Sequence, residues 1–272
     1  MRTEFLFYKG DKAPSLQQQL DLYQKVADNL HGKPVTLRTL DVGGDKPVSY
    51  IPLPQEDNPI VGLRGIRNYS QYRELFLTQI RAMLSVKPAS SVHIMLPMVT
   101  FLDELISYRK LIEEEKQKLG VSTPVQIGIM VEVPSAALMA EQFAKYADFF
   151  SIGTNDLTQY TLAIDRGHKT LCAQSDPLDP AVLRLIRLTC QGAEKYKRNV
   201  AVCGAIAGDL VAAPVLIGLG VRELAVSANL IAPIKALVRK LDAQKTAALA
   251  QQALTLSSAN EVRAFVKKEL GI

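Results

Sequence analysis

Short apolar segments alternate along this chain with longer amphipathic ones, and the alternation constrains the fold more than any other feature. The apolar segments have the length of buried strands, whereas the amphipathic ones have the periodicity of helices. Strands that alternate with helices predict an α/β fold with a parallel sheet and right-handed crossovers. The predicted strands cover residues 2–8, 35–41, 91–98, 125–131, 149–152, 200–203 and 223–227.

Helices are predicted at 14–30, 71–86, 103–119, 135–146, 180–198, 209–219 and 233–270, with an N-cap at Ser257-Ser258 inside the last of them. Two long segments, 42–68 and 153–180, are predicted as loops. No repeat or linker divides the sequence, so we expect one domain over residues 1–272. A closed (β/α)8 barrel has one strand more than this pattern supplies.

The composition disfavours several classes of protein. The net charge of +5 is spread along 272 residues with no aromatic residues interleaved for base stacking, which disfavours nucleic-acid binding. The longest apolar stretch, 212–220, is too short to cross a bilayer. The three cysteines show no paired spacing and are typical of reduced thiols. We therefore expect a cytoplasmic protein that binds a small anion, with no nucleic-acid or membrane partner.

Polar residues follow two neighbouring predicted strands. One strand ends in Glu132, and the next leads through a glycine to Asn155 and Asp156. The carboxyl ends of parallel strands meet at one rim, where carboxylates can hold a divalent metal. The alternative is that each carboxylate caps the helix that follows it. Asn155 beside the pair and Arg166 ten residues on favour the metal site.

Four arginines are predicted at strand ends or on rim loops. Arg38 lies within a buried strand, where a charge is unfavourable unless an anion meets it. A buried salt bridge, for example to Asp41, is the alternative. Arg64 is flanked by glycines, Arg2 is on the first predicted strand, and Arg166 follows Asp156. Guanidinium groups bind phosphate and carboxylate in bidentate fashion, so this set suits a substrate that carries both groups.

Cys203 ends a predicted strand and precedes a glycine. A buried cysteine usually acts as a small hydrophobic residue. At the same rim as Glu132 and Asp156, an ordinary protonated thiol could also donate a proton to carbon.

Six ordered segments resemble one family, the C-terminal phosphoenolpyruvate-binding domain of phosphoenolpyruvate-protein phosphotransferase, enzyme I of the bacterial sugar phosphotransferase system. These segments are residues 2–7, 37–46, 62–67, 128–132, 150–166 and 203–204. The resemblance covers essentially the whole chain. It implies a (β/α)8 TIM-type barrel of the phosphoenolpyruvate/pyruvate-utilising kind that lacks here its first strand and helix, with the phosphohistidine domain absent.

The resemblance also implies roles for individual residues. Glu132 and Asp156 would ligate Mg²⁺, for which Mn²⁺ can substitute, and Cys203 would protonate the enolate to give pyruvate. The residues that hold phosphoenolpyruvate would be Arg2, Arg38, Arg64, Asn155, Asp156 and Arg166. The phosphoryl group would pass to a histidine on a separate N-terminal domain and then to a histidine-containing phosphocarrier protein. A homodimer is expected.

The sequence departs from the family pattern at Leu63, where an aromatic residue is usual, and at Ala205, where an acidic residue is usual. Two other functions stay open. One is a barrel of the pyruvate-phosphate dikinase or phosphoenolpyruvate synthase type. The other is a phosphoenolpyruvate-binding module without catalysis, which the missing histidine domain favours and Cys203 argues against.

Overall fold

The computed structural model of the chain describes residues 1–8, 10–44 and 48–271. The chain divides into two compact units, Met1–Met130 (unit 1) and Val131–Ile272 (unit 2). In each unit, short parallel strands alternate with helices, so the predicted α/β fold is confirmed. No helix among the described residues is both long and apolar enough to cross a membrane.

Unit 1 contains three parallel strands with helices between them. β1 pairs with β2 and β2 with β3, and Ile94 lies opposite both Leu37 and Ile127. All three side chains are fully buried, as expected for parallel strands that are covered on both faces. The elements are α1 Glu4–Phe7, α2 Leu16–Asn29, β1 Val35–Arg38, α3 Arg73–Ser85, β2 Val92–Leu96, α4 Leu102–Lys118 and β3 Gln126–Val131, whose last residue opens unit 2.

Unit 2 also contains parallel strands, and β4 pairs with β5 and β5 with β6. In this register Gly153 lies opposite Cys203, so the carboxyl ends of β4 and β5 are adjacent. The elements are α5 Pro134–Leu138, α6 Ala140–Ala144, β4 Phe149–Gly153, α7 Thr154–Leu162, α8 Pro180–Glu194, β5 Asn199–Cys203, α9 Ala212–Gly218, β6 Glu223–Leu224, α10 Ala228–Val238, α11 Ala243–Ala253 and α12 Ala259–Leu270.

The predicted strand at residues 2–8 is wrong. Residues 4–7 form the short helix α1, and Arg2 makes only an isolated parallel bridge with Arg38, so the described residues contain six strands. A short apolar run does not distinguish a strand from a helix. The helical turn places Glu4, which is 3% exposed, where its carboxylate pairs with Arg38.

The predicted loop at 153–180 is also wrong in its first part, because residues 154–162 form α7. The run Thr-Asn-Asp suggests a loop, but an acidic residue in the first turn also stabilises a helix. The helix predicted at 135–146 is interrupted at Met139, and the C-terminal one divides into α10, α11 and α12. The N-cap at Ser258 is confirmed, since its hydroxyl accepts from Glu261 N. The closed barrel and the single domain stay predictions.

Candidate functional site

Two buried arginines and two buried carboxylates form one cluster in unit 1, which we call the arginine cluster (Glu4, Arg38, Asp41 and Arg64). Arg64 is fully buried and donates from Nε to Asp41 Oδ1 at 3.1 Å and from Nη2 to Asp41 Oδ2 at 3.2 Å. Arg38 Nη2 lies 3.1 Å from Glu4 Oε1, and its Nη1 lies 3.4 Å from Asp41 Oδ2. Two guanidinium groups are therefore held in place by two carboxylates.

This cluster confirms that Arg38 forms a buried salt bridge to Asp41. Sequence reasoning missed Glu4, although an acidic residue within an otherwise apolar run was a signal. The two carboxylates hold the guanidinium groups in fixed orientations, and their charges offset those of the arginines inside the core.

Glycine is required where the two loops of the cluster meet. Gly43 has φ +106° and forms an antiparallel bridge with Arg64. A Cβ at Gly43 would lie 2.1 Å from the carbonyl oxygen of Leu63. Gly43 thus allows the close approach that positions Arg64, while Asp45 and Lys46 of the resemblance segment 37–46 lie outside the described residues.

Arg2 contributes its main chain rather than its side chain to this region. Its backbone bridges to Arg38, whereas its side chain is exposed and its Cζ lies 5.3 Å from the ring centre of Phe5. The structure brings Arg38 and Arg64 together through Asp41, but it places the Arg2 guanidinium on the surface.

The two predicted metal ligands of unit 2 are both buried, with Glu132 1% and Asp156 5% exposed. Neither is an N-cap residue, because α5 has Val133 and α7 has Gly153 in that position. The capping alternative is therefore wrong. A Cβ at Gly153 would lie 2.6 Å from Glu132 Cγ. The φ of Gly153 is −85°, which any residue can adopt, so what requires glycine here is the space that Glu132 occupies.

Asn155 lies in the first turn of α7, and Arg166 lies four residues beyond its last residue, Leu162. Asn155 is exposed in the first turn of this helix. The main-chain N–H of Arg166 donates to Gln159 Oε1 at 3.0 Å, and its Nη1 lies 3.8 Å from Asp156 Oδ2. Gln159 is 4% exposed and was not identified from the sequence. Its position in the sequence does not indicate that it contacts Arg166 beyond the end of the helix. The Arg166 side chain is 33% exposed and can reorient toward an anion.

Cys203 is half-buried at the end of β5, and its Sγ donates to Ile152 O at 3.5 Å. The hydroxyl of Thr154 donates to the main-chain oxygen of Cys203 at 2.8 Å. Gly204 has φ +102°, and a Cβ there would lie 2.5 Å from Thr154 Oγ1 and 3.0 Å from Asn155 Oδ1. The start of α7 and the end of β5 therefore touch, which holds Cys203 at the same strand ends as Asn155.

Glu132 and Asp156 are donors of the kind that a magnesium ion takes. Among residues 1–8, 10–44 and 48–271 no group of three or more His, Cys, Asp or Glu side chains could hold a metal ion. Mg²⁺, however, is commonly bound by one or two carboxylates, with the remaining ligands from water and substrate phosphate. Glu132 and Asp156 supply two such carboxylates, and the space left open at Gly153 is filled by the Glu132 side chain.

Residues 1–243 match the family model described as PEP-utilising enzyme, PEP-binding domain. The chain belongs to this family. It is 49% identical to a multiphosphoryl transfer protein of Rhodobacter capsulatus, over 97% of the chain and 32% of that protein. It is 43% identical to a phosphoenolpyruvate-protein phosphotransferase of Bacillus subtilis, over 98% of the chain and 48% of that protein. The resemblance drawn from the six sequence segments is thereby confirmed.

The chain spans about half or less of the length of these relatives, at 48% and 32%. Among solved structures, a citrate lyase from Burkholderia xenovorans LB400 matches with a TM-score of 0.53 and 18% identity, covering 95% of this chain and 91% of that one. At that identity the likeness shows the fold alone.

Proposed function

We propose that this domain binds phosphoenolpyruvate with Mg²⁺ and gives up its phosphoryl group to a histidine on a separate domain, releasing pyruvate. One observation carries the proposal. Gly153 at the end of β4 lies opposite Cys203, and the space beside Gly153 is filled by the Glu132 side chain. A candidate metal ligand and a candidate proton donor thus flank the same residue, which suits a reaction that needs both.

The proposal gives different tasks to the residues named from the sequence. Arg38 and Arg64 would bind the anionic groups of the substrate, with Arg2 joining them once its exposed side chain reorients. Asn155 and Arg166 would hold the phosphate, and Glu132 and Asp156 would hold the metal. A bound Mg²⁺ supplies positive charge to the phosphoryl oxygens as the phosphoryl group transfers.

The proton needed for pyruvate comes from Cys203 in this proposal. Cleavage of the bond between phosphorus and the bridging oxygen transfers the phosphoryl group to the acceptor histidine and leaves the enolate of pyruvate. The Sγ–H proton then passes to the methylene carbon of the enolate, which becomes the methyl group. Solvent returns a proton to the thiolate. The hydrogen bond to Ile152 O must break before this transfer, and it is a weak one because a thiol is a weak donor.

The remaining expectations belong to the same proposal. They are Mn²⁺ as a substitute for Mg²⁺, a phosphohistidine domain and a histidine-containing phosphocarrier protein as partners, a homodimer, and a cytoplasmic location. The relatives named as phosphoenolpyruvate-protein phosphotransferase and multiphosphoryl transfer protein support a protein partner that accepts the phosphoryl group. The metal, the homodimer and the location follow from the family resemblance of the sequence alone.

Titration calorimetry tests the binding step. We expect phosphoenolpyruvate to bind with Mg²⁺ and to lose most of its affinity in chelator or in Glu132→Gln, because both carboxylates serve the metal. Glu141→Gln, at an exposed site of the same unit, is the control and should bind as the parent does. Equal affinity with and without the metal would exclude the proposed ligand set.

The proton-transfer step is tested with Cys203→Ala and a phosphohistidine domain supplied separately. Pyruvate formation should slow by about 10²- to 10⁴-fold, the range usual for loss of a general acid. Affinity for phosphoenolpyruvate should stay within about threefold. A variant that releases pyruvate at the parent rate would show that Cys203 only packs against its neighbours.

A further inference from the structure

Arg263 on α12 binds two aspartates from two different segments of unit 2. Its Nε and Nη2 donate to Asp176 Oδ2 and Oδ1 at 2.5 and 3.0 Å, and its Nη1 donates to Asp209 Oδ2 at 2.7 Å. The guanidinium group thus binds the Asp176 carboxylate through two nitrogens and the Asp209 carboxylate through its third. All three side chains are largely shielded, with 30%, 22% and 27% exposed for Arg263, Asp176 and Asp209.

The first segment that Arg263 holds follows α7 and carries Arg166. It is attached at its start through Gln159, which accepts from Arg166 N at 3.0 Å. It is attached at its end through Asp176, which also accepts from Leu178 N at 2.9 Å. The residues between, 167–174, are exposed, so these two attachments determine where the segment lies.

The second segment follows β5 and begins directly after Cys203. Residues 205–208 form a 3-10 turn, and Asp209 then accepts from Val211 N at 2.8 Å at the start of α9. The other carboxylate oxygen of Asp209 faces Arg263. Burial raises the pKa of Asp209, but the hydrogen bonds from Arg263 and Val211 N outweigh it and leave this pKa below its ordinary value. Asp209 is therefore ionised at neutral pH.

We propose that Arg263 is a positioning residue for the reaction described above. By joining Asp176 to Asp209, it would fix the segment of Arg166 relative to the segment that follows Cys203. Arginine suits this task because its fork binds two carboxylates at once, whereas lysine presents a single ammonium group. Arg263 lies outside residues 1–243, the part that matches the family model, so the family description does not include it. The inference rests on the proposed function.

A purely structural role for Arg263 would be to fasten the C-terminal helices to the rest of unit 2. Arg184 provides the matched control, because its Nη2 donates to Leu254 O at 2.8 Å and so also contacts the C-terminal helical region. Within the part of the chain that the structure describes, no hydrogen bond joins Arg184 to Asp176 or Asp209. If Arg263 positions the two segments, its substitution should have effects that substitution of Arg184 does not have. If Arg263 only fastens the C-terminal helices, the two substitutions should have similar effects.

The test compares Arg263→Lys, Arg263→Gln and Arg184→Gln with the parent. The first measurement is the rate at which iodoacetamide alkylates Cys203, followed by peptide mass spectrometry. The second is the rate of protease cleavage within 167–174. The third is the kcat and KM of pyruvate formation with a phosphohistidine domain supplied separately. Both Arg263 variants should be cleaved at least threefold faster, alter the alkylation rate by at least threefold, and lower kcat by about tenfold, since small misplacements of reacting groups are costly. Arg184→Gln should behave as the parent.

Two single substitutions keep the test decisive even if Arg263→Gln fails to fold. Asp176→Asn should speed cleavage within 167–174 more than it changes Cys203 alkylation, and Asp209→Asn should do the reverse. Unchanged cleavage and alkylation in Arg263→Lys would overturn the proposal. A parent protein that forms no pyruvate would instead overturn the proposed function, and cleavage and alkylation would still decide whether Arg263 fixes the two segments.

Discussion

The arginine cluster of unit 1 and the strand ends of unit 2 carry similar residues in opposite settings. Arg64 is fully buried and holds Asp41 through two hydrogen bonds of 3.1 and 3.2 Å. Arg166 has a side chain that is 33% exposed and lies 3.8 Å from Asp156. In unit 1 the charged groups belong to the folded core. In unit 2 the carboxylate of Asp156 is also buried, but its arginine partner lies on a partly exposed segment.

This difference teaches that the two sets of residues should respond to substitution in different ways. A buried ion pair loses several kcal/mol when one partner is removed, because the other charge stays buried without compensation. When one partner of a partly exposed pair is removed, water solvates the remaining charge, so the free energy of unfolding falls little. We therefore expect substitution of Arg64 to reduce mainly stability and substitution of Arg166 to reduce mainly the reaction rate.

The largest effect is expected from matched arginine substitutions. Arg64→Gln should lower the free energy of unfolding by about 3–5 kcal/mol, because Asp41 loses its bidentate partner inside the core. Arg166→Gln should lower it by less than about 1 kcal/mol. Urea denaturation followed by far-UV circular dichroism measures both. Equal losses would remove the distinction between the two regions.

An intermediate effect is expected where a glycine makes room for a glutamate. Gly153→Ala would place Cβ 2.6 Å from Cγ of the buried Glu132, and we expect a loss of about 1–3 kcal/mol from overpacking. Gly62→Ala would place Cβ 2.2 Å from Glu56 Oε1, which is the end of a half-buried and flexible side chain. The loss there should stay below about 1 kcal/mol. Thermal and urea unfolding of the two variants measure which one loses more stability, and a larger loss for Gly62→Ala would contradict the prediction.

The smallest effect concerns the pH dependence of stability. The Glu115 side chain is 2% exposed and lies 2.6 Å from both Arg81 Nε and Lys118 Nζ. Hydrogen bonds from Arg81 and Lys118 lower the pKa of Glu115 below its ordinary value of 4.5. A lowered carboxyl pKa stabilises the folded state above the unfolded pKa, and this contribution is lost as the pH falls through the folded one.

We therefore expect Glu115→Gln to lower the free energy of unfolding by about 1 kcal/mol at neutral pH. The difference from the parent should shrink as the pH falls below the ordinary pKa of 4.5 and vanish only below the folded pKa of Glu115, which is lower. In unit 2, Glu141 is the control, because its pair with Lys195 is exposed, with 44% and 60% of the two side chains accessible. Glu141→Gln should differ from the parent by less than about 0.5 kcal/mol at every pH. Denaturation curves at several pH values measure these differences. A loss of stability in Glu115→Gln that becomes larger in acid would contradict the lowered pKa of Glu115.

The sequence predicted the helices at 14–30, 71–86 and 103–119 well, because each has a long amphipathic pattern. It also located the carboxylates at the ends of β3 and β4 and the cysteine at the end of β5, since an apolar run followed by polar residues marks the end of a strand. Glu132, Asp156 and Cys203 were named from that signal alone. Family membership followed from six short segments spread along the chain.

The sequence failed where a short pattern has two physical solutions. Residues 4–7 form a helix because Glu4 pairs with Arg38, a residue more than thirty positions away, at 3.1 Å. Residues 154–162 form α7 although their first three residues also suit a loop. In both places local preference is weak, and a contact or a helix end that a sequence pattern does not encode decides the outcome.

What the sequence by itself determined was the α/β class, the family and the kinds of chemical groups that follow the strands. Those follow from hydrophobic periodicity and from residue type, which are local properties. Only the tertiary structure decided which groups touch: Arg64 with Asp41, Glu132 beside Gly153, and Arg263 between Asp176 and Asp209. The reason is physical, because an ion pair or a steric contact depends on distances of a few ångströms between residues that the chain separates by tens of positions.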